Sequence, residues 1–239
     1  MVNLVKFIAS SGAASRRQAE KLIRQGHVTV NGMSVSDPAR RISPDDRVML
    51  DSVLLEPETN LRYILLHKPR GYVCSSADKH AGKLALDLLT SIPERLVSAG
   101  RLDKDSEGAI IFSNDGEFIN HLTHPRYGVL KTYIVHTASP LLPADLECMR
   151  TGISDAGDLL KVHSVEEVGK NCYRFILNEG KKREIRRLTA ACGAPTVRLI
   201  RIKIGPVALG DLPPGKFREL SAGEVSLLSA VPEENRGLS

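Results

Sequence analysis

The chain has 239 residues, of which 42% are hydrophobic and 26% charged, with a formal net charge of +5 and a pI of about 9.1. This length suits one large domain or a small and a medium one, and no apolar run approaches the roughly 20 residues that a membrane span needs. The opening residues, MVNLVKFIASSG, lack the charged head and long apolar core of a signal peptide. We therefore expect a globular cytoplasmic protein.

Cysteine spacing argues against a metal site and against disulfide bonds. Cys74, Cys148, Cys172 and Cys192 lie far apart and form no CxxC pair. Zinc sites and disulfide frameworks both need closely patterned cysteines in a suitable compartment. We expect reduced thiols and no metal.

Positive charge is concentrated in two segments. Residues 1–31 hold five Lys and Arg against one Glu, a net charge of +4, and residues 170–203 hold ten against two Glu, a net charge of +8. The remainder of the chain is therefore net acidic. Two basic patches on such a body favour a polyanionic partner, most often nucleic acid. The alternative is that both patches are ordinary solvated faces.

Two helices and a hairpin are predicted in the first 50 residues. Residues 4–8 present an apolar face typical of a short helix that ends near Gly12. Ser15 and Gln18 match a capping box that begins a second helix, which Gly26 ends. The Asn31-Gly32 pair indicates a type I′ hairpin turn. Short strands are predicted at residues 27–30, 33–35 and 47–50.

The second helix carries a basic face that does not help to stabilise the helix. Its basic residues are Arg16, Arg17, Lys21 and Arg24. Arg16 and Arg17 fall in the first turn, where positive charge opposes the helix dipole, so their presence suggests function. Because phosphate binds well at a helix N-terminus, we predict that these four side chains contact a nucleic-acid backbone.

The pattern LxKFIAxSGxxSRRxAExLIxxGxVxVNG, over roughly residues 2–50, resembles the S4 RNA-binding domain. This resemblance implies a small module of two helices and a hairpin that binds RNA. The alternative is a small structural domain whose arginines are merely solvated. The polar segment 56–60, which contains a proline, predicts a linker after this module.

The rest of the chain mixes helical and strand patterns. Strands are predicted at residues 63–66, 131–136, 173–177 and 197–204, and helices at 84–89, from 118 and at 183–192. Tyr133 and Val135 should share one face of their strand. Because the elements lack regular βαβ alternation, the pattern favours the α+β class.

The stretch GRLDKDSEGAIIFSNDG, residues 100–116, carries three acids at alternate positions. Its first six positions from Asp103 fit a calcium loop, but position twelve is Asn114, where the loop requires a bidentate Glu. Residues 109–112 also predict a strand, so we reject calcium. The pattern alone leaves two alternatives open: a solvated acidic corner, or a site where one carboxylate is reactive. In an extended segment Arg101 and Asp103 would share a face, which predicts an ion pair.

The motif GRLDxxSxGxxxxSNDG resembles the catalytic motif of pseudouridine synthases, in the branch typified by RsuA, RluB, RluE and RluF. The related RluA branch usually has His where this chain has Gly100. Further segments resemble that family in the same order: HKPRGYVCS, HPRYGVLKTYIV, EGKKREIRRL and RLIRIKIGPVALGDLPPGKFREL. The resemblance implies a mixed, mostly antiparallel sheet. We therefore expect an S4-like domain with its linker at residues 1–58, a catalytic domain at 59–231 and a disordered tail at 232–239.

By this resemblance Asp103 is the catalytic carboxylate, and no cofactor is needed. Arg101 would hold the flipped nucleotide, Tyr133 would stack on the uracil, and Arg186 would form a salt bridge with Asp103. The same resemblance suggests phosphate contacts for Lys181, Lys182, Arg183 and Arg187. Each assignment has a structural alternative. Asp103 would then be a surface acid and Arg101 part of a structural ion pair. Tyr133 would be a core tyrosine, and Arg186 one more cation of a basic helix.

The chain departs from the family pattern at several positions. Ser106 replaces a frequent Thr, His67 replaces the usual Asn, and Arg183-Glu184 replaces an Asn/His-Gln pair. Asp105 and Glu107 receive no catalytic role, so we expect them to order the turn or lie in solvent and to tolerate neutral replacement.

Taken with the resemblance, the sequence predicts an enzyme that isomerises a specific uridine of ribosomal RNA. We expect a monomer that acts on ribosomal RNA or a pre-ribosomal particle, away from membranes. The arginine pair of the second helix and the final strand block resemble large-subunit enzymes more than small-subunit ones. The alternatives are a small-subunit substrate and a non-catalytic RNA-binding or assembly protein.

Overall fold

The computed structural model describes residues 1–75 and 82–230. They form two compact units. The first comprises Met1–Arg62 with Pro93–Leu96 and Asn114–Gly116, and the second comprises the remaining segments. The division after Arg62 lies four residues beyond the predicted one, and the predicted tail at 232–239 lies outside the described residues. No helix in the described chain has the length and apolar character needed to cross a membrane.

The first unit contains the two predicted helices and six short strands. Its elements are β1 (Val2–Asn3), α1 (Leu4–Ser10), α2 (Arg16–Arg24), β2 (Val28–Val30), β3 (Met33–Ser34), β4 (Arg41–Ile42), β5 (Val48–Leu50) and β6 (Val53–Leu54). Strands β3, β2, β5 and β6 form one sheet in that order, and β1 pairs with β4. The core contains fully buried side chains from both helices and the sheet, among them Leu4, Ile8, Ile23 and Val48.

Two local predictions for this unit are confirmed. Ser15 Oγ accepts a hydrogen bond from the Gln18 N–H at 3.2 Å, and Gln18 Oε1 accepts one from the Ser15 N–H at 3.1 Å. Asn31 and Gly32 both have positive φ, at 52° and 81°, as a type I′ turn requires. The capping box begins α2, and the turn joins β2 to β3.

The strands of the second unit form one large sheet and one separate hairpin. Its strands are β7 (Tyr63–Lys68), β8 (Val97–Ser98), β9 (Glu107–Ser113), β10 (Lys131–Thr137), β11 (Ile153–Asp155), β12 (Asp158–Leu160), β13 (Ser164–Gly169), β14 (Cys172–Leu177), β15 (Thr196–Ile204), β16 (Val207–Ala208) and β17 (Phe217–Glu219). The large sheet has the order β13-β14-β10-β15-β9-β7-β17, with β8 on β9 and β16 on β15. Among the described strands only β9 and β15 pair in parallel, so the predicted mostly antiparallel α+β fold is confirmed.

Helices flank this sheet. They are α3 (Gly116–Thr123), α4 (Pro143–Thr151), α5 (Glu184–Ala191) and α6 (Ala222–Ser229), with short 3-10 helices at Ala85–Leu89 and Pro125–Tyr127. The segment predicted as helical at 84–89 is thus a 3-10 helix. In β10, Tyr133 and Val135 are buried while their neighbours are half-buried, which confirms the predicted alternation.

Glu224 ties the start of α6 to β17, and its removal should lower stability. Its carboxylate accepts hydrogen bonds from Arg218 at 2.7 and 2.8 Å and from the Ser221 N–H at 2.9 Å. The Arg218 bonds are the main cause that lowers the pKa of Glu224 from 4.5 to about 2, against the opposing effect of burial. We expect Glu224→Gln to lower the free energy of unfolding at neutral pH by about 1 kcal/mol, typical of a lost helix cap.

The pH dependence of that loss follows from the lowered pKa. The Glu224 contribution is fully present above pH 4.5 and is lost as the pH falls towards about 2, because the folded protein must then take up the proton. Urea unfolding of both proteins at neutral and acidic pH measures this. If the difference in the free energy of unfolding between the wild type and Glu224→Gln stays constant between neutral pH and pH 2, the prediction is contradicted.

Candidate active site

The loop between β8 and β9 holds Asp103 in a turn. Gly100 has a φ of +81°, which redirects the chain after β8. Leu102 is buried, and its N–H lies 3.4 Å from the sulfur of Cys74. The carbonyl of Asp103 accepts the Ser106 N–H at 3.0 Å. Asp103 is half-buried and lies four residues before β9, a strand whose residues are all buried.

Asp103 lines an open cavity of about 570 Å³. The cavity is also lined by residues from the loop before β9, from β10 and from the start of α5, including Arg101, Tyr133, Lys182, Arg183 and Arg186. Its size lies within the roughly 300–1,000 Å³ common for small-molecule sites. Four of the predicted site residues from three separate segments, Asp103, Arg101, Tyr133 and Arg186, therefore meet at one cavity.

The predicted ion pair between Arg101 and Asp103 is wrong. Within residues 1–75 and 82–230, the Asp103 carboxylate has neither a hydrogen bond nor an ion pair, and Arg101 is exposed at the cavity. Leu102 is buried between the exposed Arg101 and the half-buried Asp103, and the turn lies at residues 104–105. Asp103 instead acts electrostatically on Lys68, Arg183 and Arg186.

Arg186 contacts Asp105, not Asp103 as the resemblance implied. Its Nε lies 3.3 Å from Asp105 Oδ2, an ion-pair distance without hydrogen-bond geometry. An Nη of Arg186 donates to the Asp105 carbonyl at 3.0 Å and to Ser106 Oγ at 3.3 Å. The guanidinium is therefore fixed along the chain just after Asp103. With only 11% of its side chain exposed, Arg186 has a pKa lowered by burial, which its interaction with Asp105 opposes.

Asp105 and Glu107 do not simply lie in solvent, so that expectation needs correction. Arg183 binds the Asp105 carboxylate through two hydrogen bonds of 3.2 Å. Burial alone would raise the pKa of Asp105, but the Arg183 bonds and the charge of Arg186 outweigh it and lower that pKa. Glu107 is 7% exposed and pairs with Arg198 at 2.5 Å. Both acids are held by arginines from the second basic segment.

Tyr133 lies against a buried arginine that the sequence analysis did not identify. Tyr133 is 8% exposed and pairs in register with Arg201 of β15. The Arg201 guanidinium lies 6.0 Å from the centre of the Tyr133 ring, and its Nε donates to the Ala109 carbonyl at 2.6 Å. Arg201 lies two residues after the buried Leu199, so both side chains share one face of β15. A charged residue on this apolar face was the pattern in the sequence that could have identified Arg201.

Two further lysines near the site are partly or wholly shielded from water. Lys68 is fully buried, and its Nζ donates to the carbonyls of Pro69 and Tyr72 at 2.9 and 2.8 Å. Burial lowers the pKa of Lys68, while electrostatic interactions with Cys74, Asp103 and Asp105 oppose this effect. Lys131, two residues before Tyr133, has a pKa lowered by burial to about 8, with a smaller contribution from Arg201.

The titration of Lys131 should appear in the stability of the protein. Below about pH 8 the amine is charged in both the folded and the unfolded chain, and above 10.5 it is neutral in both. Between these values unfolding takes up a proton, so the contribution of Lys131 to the free energy of unfolding rises with pH. We expect Lys131→Met to abolish this rise. Urea unfolding of both proteins at several pH values tests it, and parallel curves would contradict it.

The predicted RNA-binding residues fall into two groups. Arg16, Arg17, Lys21 and Arg24 are exposed on α2, and Lys182 and Arg101 are exposed at the cavity. Arg187 instead binds the β11–β12 hairpin. Its Nε lies 2.5 Å from Asp155 Oδ2, and its Nη1 lies 2.7 Å from Asp158 Oδ2. Lys181 donates to the Leu159 carbonyl at 2.7 Å and to Glu179 at 2.8 Å. Arg187 and Lys181 therefore stabilise the second unit itself.

Comparison with known proteins connects this arrangement to a family. A family model described as RNA pseudouridylate synthase matches residues 62–191, and an S4 domain model matches residues 2–48. The chain is 33% identical to ribosomal large subunit pseudouridine synthase B of Bacillus subtilis, over 99% of both chains. It is 34% identical to ribosomal small subunit pseudouridine synthase A of Escherichia coli, over 94% of this chain and 99% of the other.

A solved structure agrees with these sequence matches. A crystal structure of a pseudouridylate synthase superposes with a TM-score of 0.70 at 31% identity, covering 95% of this chain and 100% of the other. The predicted family and the predicted S4 module are thus confirmed. The chain belongs to the RNA pseudouridylate synthase family, carries an N-terminal S4 domain, and is an isomerase.

Proposed function

We propose that the protein converts a specific uridine of ribosomal RNA into pseudouridine, with Asp103 as the catalytic carboxylate and without a cofactor. The observation that carries this proposal is the position of Asp103, half-buried at a cavity that Tyr133 and basic side chains also line. A carboxylate is a competent nucleophile that needs no added group.

The reaction is an isomerisation, so its atoms balance within one nucleotide. The bond from N1 of uracil to C1′ of ribose breaks, a bond from C5 to C1′ forms, C5 loses its proton and N1 gains one. The base must leave its stack to reach the cavity. We assign Arg101, exposed at the cavity, to holding the extruded nucleotide, and Tyr133 to stacking on the uracil.

The basic side chains support an RNA substrate. The exposed residues of α2 and Lys182 at the cavity offer positive charge to a phosphate backbone. Such contacts position a nucleic acid without reading its sequence. Ribosomal RNA, free or in a pre-ribosomal particle of the cytoplasm, fits the substrates named for both the Bacillus subtilis and the Escherichia coli relatives.

Large-subunit RNA is the favoured substrate. The arginine pair at the start of α2 and the strand block from β15 to β17 resemble large-subunit enzymes. The alignment with the large-subunit relative also spans 99% of both chains. The identity to the small-subunit relative is nearly the same, at 34%. The experiment must therefore distinguish large-subunit RNA from small-subunit RNA as the substrate.

A deletion strain tests the proposal directly. Ribosomal RNA from cells that lack this gene is treated with carbodiimide, and pseudouridines are mapped by primer extension on both subunit RNAs. We expect one large-subunit stop to disappear and to return with the wild-type gene but not with Asp103→Asn. An unchanged map, or full restoration by Asp103→Asn, would refute catalysis and leave a non-catalytic RNA-binding role.

A further inference from the structure

A second open cavity, also of about 570 Å³, adjoins the one described above. The two cavities share Asp103 and three basic residues, so they meet at the proposed catalytic carboxylate. Four basic and two acidic residues line the second cavity, which gives it a formal charge of +2: Arg70, Lys104, Lys182 and Arg183 against Asp103 and Asp105. A concave surface with net positive charge raises the local concentration of anions.

Three of these basic side chains have no partner inside the protein. Arg70, Lys104 and Lys182 are exposed, and none of them makes an ion pair or a side-chain hydrogen bond in the part of the chain that the structure describes. Lys181 and Arg187 differ from them, because both bind acids of the same unit. Cations without internal partners are the ones that can neutralise phosphates of a bound nucleic acid.

Hydrogen bonds hold the backbone that carries Arg70 and Lys104. Arg70 lies in a turn that the buried Lys68 amine closes, by donating to two carbonyls of this segment at 2.9 and 2.8 Å. Gly71 follows with a φ of +89°, and its N–H donates to the Lys104 carbonyl at 2.7 Å. Lys104 itself comes directly after Asp103. Both exposed cations therefore extend from backbone that is joined to the loop of the carboxylate.

A nucleotide that reacts at Asp103 must carry its phosphates near this carboxylate. The reaction exchanges the bond between uracil and C1′ of ribose, and the flanking phosphates are attached to that same ribose. Tyr133 lines the first cavity and not the second, whereas Arg70 lines the second and not the first. The stacking side chain and the free cations thus lie on two cavities that meet at Asp103, as a base and its backbone require.

We propose that Arg70 and Lys104 bind the phosphates that flank the target uridine, so that the second cavity holds the RNA backbone while the first holds the base. The proposal rests on the function proposed above, in which the uridine reacts at Asp103. Sequence analysis identified neither residue. Phosphate contacts fix the position of a strand and do not read its sequence. Arg70 and Lys104 are therefore binding residues that do not touch the reacting bond.

The salt dependence of RNA binding tests these contacts. The full-length protein and the double variant Arg70→Gln/Lys104→Gln are bound to ribosomal RNA from the deletion strain over a range of KCl concentrations. Each contact with a phosphate of a single strand contributes about 0.7 to the slope of log Kd against log salt. We expect the double variant to lower this slope by about 1.4. A slope equal to that of the wild type would overturn the proposal.

Turnover distinguishes backbone binding from catalysis. The substrate is the same RNA labelled with tritium at C5 of uridine, and released tritium reports the reaction. Loss of a contact that is made equally before and during the reaction raises KM and leaves kcat unchanged. We expect KM of the double variant to rise about tenfold, the scale of two exposed charge contacts, with kcat within about threefold of wild type. An unchanged KM would overturn the proposal.

Two further variants show that charge at this place is the cause. Arg70→Lys/Lys104→Arg keeps both charges and should keep most of the wild-type slope and KM. Lys170 is the matched control, because it is exposed between β13 and β14 and has no side-chain partner among the described residues. It lies beyond one end of β14, roughly 20 Å along the strand from Leu177, which lines the first cavity. Lys170→Gln should match the wild type. A loss in either variant equal to that of the double Gln variant would overturn the proposal.

Ethylation interference locates the phosphates. Ribosomal RNA from the deletion strain is ethylated at its phosphates with ethylnitrosourea, and bound and unbound molecules are compared at each position. We expect the wild-type protein to show interference at the phosphates beside the uridine that loses modification in the deletion strain. The double Gln variant should lose this interference, whereas Lys170→Gln keeps it. The same pattern in wild type and double variant, or a loss only at remote phosphates, would overturn the proposal.

These measurements separate failure of the inference from failure of the proposed function. If the wild-type protein releases no tritium, the proposed function fails, and with it the position of these phosphates beside a reacting uridine. If the wild type releases tritium but the double variant keeps its slope and KM, the proposed function stands and the binding role of Arg70 and Lys104 fails.

Discussion

Asp103→Asn should abolish turnover while leaving the fold intact. Release of tritium from C5 of labelled uridine in ribosomal RNA measures turnover. We expect its kcat to fall by at least about 10⁴-fold, the scale seen when a nucleophile is removed. The amide has nearly the same shape as the carboxylate but is a poor nucleophile. Because Asp103 is half-buried and its carboxylate has no hydrogen bond within the described chain, the free energy of unfolding should change little.

The comparison variant for Asp103→Asn is Glu166→Gln, which removes one exposed carboxylate from β13, far along the sheet order from β9. It should keep wild-type turnover. Urea unfolding of both variants shows whether a loss of turnover reflects an unfolded protein. Residual turnover of Asp103→Asn within tenfold of wild type would rule out Asp103 as the catalytic carboxylate.

Gly108→Ala should be among the most destabilising single substitutions in this chain. Gly108 has a φ of +111° and lies opposite Arg201 in the parallel pairing of β9 with β15. A Cβ there would lie 2.6 Å from the Arg201 nitrogen and closer still to its carbonyl oxygen. Backbone cannot rotate away as a side chain can, so we expect a loss of more than about 4 kcal/mol in the free energy of unfolding.

Gly157 supplies the control for backbone strain alone. It has a φ of +84° in the β11–β12 hairpin, and nothing lies within 4 Å of an added Cβ. Gly157→Ala should cost only about 1–2 kcal/mol, the usual penalty of a left-handed residue. Chemical denaturation followed by circular dichroism compares the two. Similar losses would show that the close approach of β9 and β15 is not the constraint on Gly108.

Local patterns predicted local structure well. The capping box at Ser15 and the Asn31-Gly32 turn are formed by residues close in sequence, so their geometry depends little on the rest of the fold. The alternation around Tyr133 likewise reports the two faces of a single strand. The motif GRLDxxSxG located the cavity, and its final glycine has a physical reason in the approach of Arg201 to Gly108.

The partners of charged residues could not be predicted from sequence. Arg186 meets Asp105 because the start of α5 packs beside the loop before β9, and 80 residues separate these segments. Arg101 and Asp103 do not pair although Leu102 between them is buried as expected, so a shared face alone did not predict the partner. Helix α4 was missed because its apolar stripe is weak, with Met149 its buried residue.

The ion pairs of the second basic segment set how strongly salt should weaken RNA binding. Six of the ten Lys and Arg between residues 170 and 203, a segment that the structure describes throughout, already pair with acids of the same chain: Arg174, Lys181, Arg183, Arg186, Arg187 and Arg198. A cation that is already paired with an acid of the protein would neutralise few RNA phosphates, so it would displace few counterions from the RNA. We therefore expect the salt dependence of RNA binding to report fewer phosphate contacts from this segment than its formal charge of +8 would give.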